Sequence, residues 1–99
     1  MTDDDDISFE WDAAKAATNV SKHGVTFEDA TYVFDDPMRL EEQDRFSRGE
    51  YRSLCIGKVG GVILTVVFTE PEDSLIRIIS ARRATAHERK IYDASVFQP

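Results

Sequence analysis

At Met38 the spacing of apolar residues changes period, and that change limits what the chain can become. Upstream, Ala13 to His23 is rich in alanine and lysine. Asp12 stands where an N-cap belongs and Gly24 where a left-handed C-terminal glycine belongs, so the spacing predicts a helix over 13–23. Thr26 and Asp29 make a capping-box-like pair that opens a second short helix. Its inner side carries Phe27, Ala30, Val33 and Phe34, and Asp35-Asp36-Pro37 stops it. Downstream the pattern is strand-like. Met38 to Gln43 reads as a weak polar strand, Asp44 to Glu50 as a loop, and Tyr51 to Val59 as a strand. Gly60-Gly61 signals a hairpin into Val62 to Thr69, the most apolar strand. Glu70 to Ser74 reads as a turn and Leu75 to Ala81 as the last strand. Thr85 with Glu88 caps a final helix that runs through Ala94. Ile7 to Trp11 alternates and adds a short strand at the start. The order β-α-α-β-β-β-β-α predicts an α+β fold: an antiparallel sheet of about four strands, a short N-terminal strand, two N-terminal helices and a C-terminal helix.

Ninety-nine residues leave room for one core. We place a single domain at 7–94, between an acidic tail at 1–6 read as disordered and a frayed tail at 95–99. The longest apolar run, Val62 to Phe68, is interrupted by Thr65, too short for a membrane helix. Asp3 to Asp6 is the opposite of a basic secretory leader. One cysteine, Cys55, excludes an internal disulfide and a cysteine zinc site, and fits a reducing cytoplasm. The expectation is therefore a cytoplasmic protein without a membrane partner. The net charge of −7 is unevenly spread: residues 1–73 carry 7 basic and 17 acidic side chains, residues 74–99 carry 5 and 2. An acidic body argues against non-specific nucleic-acid binding. A basic last quarter points to one local anionic contact, or to a face that another chain covers.

No phosphate-binding glycine loop, no H-E-x-x-H and no cluster with metal-ligand spacing is present, so neither cofactor nor metal is expected. The informative residue is Arg77. Strict alternation puts it between Leu75 and Ile79 on one face, with Ile76, Ile78 and Ser80 on the other. It is either half of a structural salt bridge, to Glu50 or Glu70, or a phosphate-binding cation on an open sheet face. Arg52 and Thr65 would form a polar groove with it if all three share that face. Lys22 and His23 either complement the helix dipole or pair an acid/base with a phosphate-binding cation. Arg82-Arg83 and Arg89-Lys90 are either a solvated face or a grip on a phosphate backbone. Cys55 reads as a buried small side chain, Glu88 as a cap and Tyr92 as core.

The strings Phe9-Glu10-Trp11-Asp12, Lys15, Asn19, Lys22-His23-Gly24-Val25 and Phe27-Glu28-Asp29-Ala30 resemble the N-terminal signature of the BrnT family. Glu50-Tyr51-Arg52, Gly57, the run from Arg77 to Thr85, then Glu88-Arg89 and Tyr92, resemble the rest of it. The resemblance implies a RelE-like fold and a type II toxin that cleaves messenger RNA and blocks translation. It also implies a BrnA-like ribbon-helix-helix antitoxin as partner in a 2:2 hetero-oligomer, with DNA bound only through that partner. Lys22, His23, Glu50, Arg52, Arg77, Arg82 and Glu88 coincide with the family pattern. Thr69-Glu70-Pro71 departs from it: many relatives read T-E-R there, and losing that arginine is expected to weaken RNA contact.

Metal-free RNA cleavage needs a base for the ribose 2′-hydroxyl, a cation for the phosphorane and an acid for the leaving oxygen. The chemical assignment is His23 or Glu50 as base and Arg77 with Arg52 as phosphate clamp, with Lys22, Arg82 and Arg83 as RNA-binding support. Glu50 is alternatively a residue that orients Arg52. The rival reading is a non-enzymatic protein-binding module, or an inactive toxin relative, whose arginines pair only with acidic groups of its partner. A DNA-binding regulator ranks last, for want of a basic recognition helix.

Overall fold

The computed structural model describes residues 7–47 and 50–96, apart from the side chains at 44–47, 50 and 96. The acidic tail expected at 1–6 and the Glu50 side chain lie outside the described residues. In chain order the elements are β1 (Ser8–Glu10), α1 (Ala13–His23), α2 (Phe27–Thr31) running into a 3-10 turn (Tyr32–Asp35), β2 (Leu40–Ser47), β3 (Glu50–Val59), β4 (Val62–Glu72), β5 (Leu75–Arg83) and α3 (Ala86–Val96). The α+β expectation holds. The sheet order is β1-β5-β4-β3-β2. Strands β2 to β5 form an antiparallel meander, and β1 lies parallel to β5 at one edge.

The caps form as the sequence dictates. Asp12 accepts from the amides of Ala14 and Lys15, and Gly24 closes α1 with φ 70°. Thr26 accepts from the Asp29 amide at 3.0 Å. Several boundaries differ from expectation: β1 is shorter, at Ser8–Glu10, and β5 runs two residues past Ala81, to Arg83. The segment from Asp44 to Glu50, read as a loop, is mostly strand: β2 runs to Ser47 and β3 starts at Glu50. Strand β2 is the sheet's outer edge, where charged residues replace alternation and block pairing with other chains, so the pattern hides the strand. Likewise β4 continues through Pro71 to Glu72, and the turn is only Asp73-Ser74. The register slips between Thr69 and Glu72, so the ladder there tolerates a residue without an amide hydrogen. Helix α3 also extends two residues past Ala94.

One face of the sheet packs on α1, α2 and the 3-10 turn. The core there joins Phe27, Ala30 and Val33 to Cys55, Leu64, Val66, Phe68, Ile76, Ile78 and Ala81. The 3-10 turn crosses β3 at Gly57, where a β-carbon would meet Val33 at 2.9 Å, so only glycine fits. Asp36 then fastens that turn: it accepts from the Lys58 amide at 2.8 Å and from the Tyr92 hydroxyl at 2.5 Å.

The tie between α1 and the sheet is a single buried side chain. Strand β1 pairs with β5 only from Leu75 to Arg77. Beyond it, the Ala81 amide donates to Asn19 Oδ1 at 3.1 Å, and Asn19 Nδ2 donates to the Ala81 carbonyl at 2.8 Å and the Val25 carbonyl at 2.9 Å. The carboxamide thus stands in for one peptide unit of a neighbouring strand. Asn19→Ala would leave three buried backbone groups unpaired, at about 1–3 kcal/mol for each that stays dry. We expect chemical denaturation to show a loss of about 2–4 kcal/mol. A loss below about 0.5 kcal/mol, the scale of a surface change, would show the amide is dispensable.

Candidate active site

The sheet face away from the core carries the candidate site. On β3 the inward residues include Cys55 and Gly57, so Arg52, Leu54 and Ile56 point outward. On β4, Leu64, Val66 and Phe68 are core, so Thr65, Val67 and Thr69 point outward. On β5 strict alternation fails. Val67 pairs with Ser80 while Phe68 pairs with Ile78, which leaves Ile79 as an extra, bulged residue. The bulge corrects the expected face of Ser80: it lies outward, and Ala81 takes the core position. The same bulge puts Arg77 and Arg82, five positions apart, on one face. Arg52, Thr65 and Arg77 therefore do share a face, in two separate rows.

The first row is closed. Ile56 pairs with Thr65 and Thr65 with Arg82. Over it sits Glu88, near the start of α3. Its carboxylate takes both arms of Arg82, at 2.7 and 3.0 Å, together with the Thr65 hydroxyl at 2.9 Å and the Thr85 amide at 2.8 Å. The Glu88 amide donates back to the Thr85 hydroxyl at 3.1 Å, which completes the capping box. The Arg82 fork, helped by the Thr85 amide and the Thr65 hydroxyl, outweighs burial and holds the carboxyl down at about 2. The carboxylate in turn raises the guanidinium's pKa. Arg82 is thus a structural anchor as well as a cation.

The second row is open. Arg77 pairs with Thr69 on β4 and with Glu10 on β1. Arg52 lies on the other side of β4, next to the Ser53–Phe68 pair that ends the β3–β4 ladder. Of the two readings of Arg77 the salt bridge is present, and its partner among the described residues is Glu10, at 2.5 Å, not Glu70; the Glu50 side chain lies outside them. The parallel pairing of β1 makes that contact, and no local spacing encodes it. The two side chains are 45% and 39% exposed, so the pair contributes at most about 1 kcal/mol and can be exchanged for an anion. Arg52 is half-buried, and its Nε has no hydrogen-bond partner among the described residues. Thr69, which sequence reasoning passed over, is 3% exposed, and its hydroxyl is likewise unpartnered. Its one visible signal was alternation with Thr65.

The remaining candidates are not brought into this row. Lys22 and His23 end α1 and line a crevice of about 270 Å³ with Lys15, Ile79 and Ser80. Lys15 also lines the adjoining cleft with Glu10, Trp11 and Arg77. Lysine side chains thus run along α1 from Arg77 to His23. Arg83 is not part of this: it lies on the opposite face, beside Gly24, Val25 and Asp29. Cys55 is buried, which pushes its thiol up to about 12 and leaves it inert. Among the described residues, no three His, Cys, Asp or Glu side chains gather to hold a metal ion, and no helix is long and apolar enough to cross a membrane.

Residues 11–88 match the family model described as the ribonuclease toxin BrnT of a type II toxin–antitoxin system. The fold is similar to the crystal structure of the Brucella abortus ribonuclease toxin BrnT, with a TM-score of 0.60 and 26% identity over 80% of this chain and 97% of that one. Comparison with curated proteins gives no match.

The Glu88 node has a pH signature. Its folded value of about 2 lies below the ordinary 4.5, so its stabilisation is complete above 4.5 and is lost as pH falls toward 2. Thermal melts between pH 7 and pH 2 should show this acid slope, and Glu88→Gln should flatten it. An unchanged slope in the variant would place the acid sensitivity elsewhere.

Proposed function

The chain belongs to the BrnT family of type II ribonuclease toxins, and from that premise we propose that it is a metal-independent endoribonuclease that cleaves messenger RNA and so blocks translation. The observation that carries this reading is the open row. Arg52 and Arg77 stand on strands separated only by β4, about 10 Å apart at the backbone. Two long guanidinium side chains on that spacing can reach one phosphate from opposite sides once Arg77 exchanges Glu10 for it.

The reaction uses the substrate's own nucleophile. A base takes the proton of a ribose 2′-hydroxyl, the O2′–P bond forms, and the P–O5′ bond breaks as O5′ receives a proton. The products are a 2′,3′-cyclic phosphate and a 5′-hydroxyl. Arg77 and Arg52 neutralise the charge that builds on the phosphorane oxygens. His23 or Glu50 serves as the base. Placement of His23 beside Ile79 and Ser80, at the margin of the outer face, supports the histidine. Lys22 lies in the same crevice and serves as a secondary cation, with Arg82 contributing its field from within the Glu88 pair. Arg83, on the far side, contacts RNA only where the strand leaves the site. DNA lacks the 2′-hydroxyl and is not cut.

The partner in this reading is a BrnA-like ribbon-helix-helix antitoxin, in a 2:2 complex in the cytoplasm. Hydrogen-bonding or acidic groups of the antitoxin compete with phosphate for the open arginines, and DNA is bound through the antitoxin alone. The co-expressed pair, sized by light scattering, should be inactive as a nuclease. Undiminished cleavage in a stable complex would place the antitoxin elsewhere.

Arg77→Ala should lower RNA cleavage by about 100-fold or more, the scale of losing one transition-state donor. Its melting temperature should stay within a few degrees of the parent, because the Glu10 pair is exposed. A collapse in melting temperature together with lost activity would make Arg77 structural. Cleavage should also persist in excess EDTA, and restoration by one divalent ion after chelation would overturn the metal-free scheme. A parent protein that acts only in stoichiometric amounts would instead be a binding module.

A further inference from the structure

Two buried side-chain polar atoms are without a partner among the described residues: Arg52 Nε and Thr69 Oγ1. They follow the last pair of the β3–β4 ladder, one on each strand. Ser53–Phe68 is the last pair of that ladder, and Arg52 and Thr69 are the residues next to it on β3 and β4. Both point to the outer face, because Phe68 points to the core. On its other side Thr69 pairs with Arg77. Buried polar groups are nearly always satisfied, and leaving one unmade costs free energy. Two adjacent orphans flanked by a second arginine are a built arrangement.

Its geometry is also specialised. The register of β4 against β5 slips on both sides of Phe68 and Thr69, at the Ile79 bulge and again before Glu72. Bulges of this kind re-aim side chains. All three groups donate. The guanidinium N–H groups cannot accept, and the threonine hydroxyl can turn its hydrogen outward. Two donors without an acceptor among the described residues, beside an arginine whose acceptor Glu10 is exposed and exchangeable, describe a receptor for an anionic oxygen.

We infer that the Thr69 hydroxyl and the Arg52 Nε–H form an oxyanion pocket that receives one non-bridging oxygen of the RNA phosphodiester, with Arg77 on the same phosphate. This rests on the nuclease reading above and adds to it. The arginines supply charge, and Thr69 fixes which phosphate oxygen turns into the sheet. Phosphate is the occupant that the nuclease reading supplies, and a partner's carboxylate is the outcome that the test below separates from it.

The test is Thr69→Val, which keeps the shape and removes the hydroxyl, with Thr69→Ser as the conservative control. Removing an unpartnered hydroxyl should leave the melting temperature unchanged or raise it. A clear fall would show that the hydroxyl is already satisfied in the folded protein and would overturn the pocket. Cleavage of a short single-stranded RNA should drop about 10- to 100-fold in the valine variant, the scale of one hydrogen bond to a charged group. The serine variant should stay within a few-fold of the parent. Single-diastereomer phosphorothioates at the scissile position give a readout that a structural role would not move. The parent should disfavour one diastereomer, and Thr69→Val should erase that discrimination. Retained discrimination overturns the pocket.

Binding of a non-cleavable 2′-O-methyl RNA separates this proposal from the nuclease reading. If the parent binds but does not cut, the nuclease reading fails, and the pocket stands only if Thr69→Val still weakens binding by several fold. Equal RNA binding by parent and valine variant overturns the pocket. If the valine variant instead loses only its affinity for the antitoxin, the pocket takes a partner's acceptor and the RNA assignment is wrong.

Discussion

A strand one place in from the edge of a sheet must find partners for its amides on both sides, and β5 finds them from three sources. Strand β4 supplies one side. On the other, β1 covers only Leu75 to Arg77, and the Asn19 carboxamide covers Ala81. Satisfying buried backbone groups is close to obligatory, so α1 has little freedom: it must lie where Asn19 reaches β5. That placement brings Lys22 and His23 beside Ile79 and Ser80. The position of the candidate base is thus inherited from a hydrogen-bonding debt on the sheet edge.

The outer face divides into two ends with opposite chemistry. Around Glu88 the carboxylate and the Arg82 guanidinium match each other, and the network ties β4, β5 and α3 together. Around Thr69 two buried polar atoms have no partner among the described residues. A fold can keep such an imbalance only where the rest is over-determined. Here the Glu88 network on the outer face and the dense core behind the sheet, with Phe27, Phe68 and Ile78 fully buried, provide that support.

Much of this was legible in the sequence because the signals were local. Asp12, Gly24, Thr26 with Asp29, and Thr85 with Glu88 each act within four residues, and each cap formed where its residue type required. Strand β4 announced itself by composition. What stayed hidden was non-local or irregular. The Ile79 bulge reverses the alternation on which the face of Ser80 had been read. The Glu10–Arg77 pair depends on a parallel contact between the two ends of the chain. Asn19 and Thr69 are ordinary residues in ordinary positions, and only the strand beside each gives it meaning. The second half of strand β2 was read as a loop because an edge strand is selected to look unlike one.

The sheet order also sets the sequence in which the molecule can come together. The first strand made, β1, finds its partner only in the last, β5. Asn19 binds a residue 62 positions later, and Glu10 one 67 positions later. Loops of that length must close before the contacts repay them, which slows assembly. During synthesis α1 has no edge to dock on until β5 has been made. Arg77 therefore arrives in the same step that closes the sheet, and a chain interrupted before it lacks both the cation and the surface that would hold it.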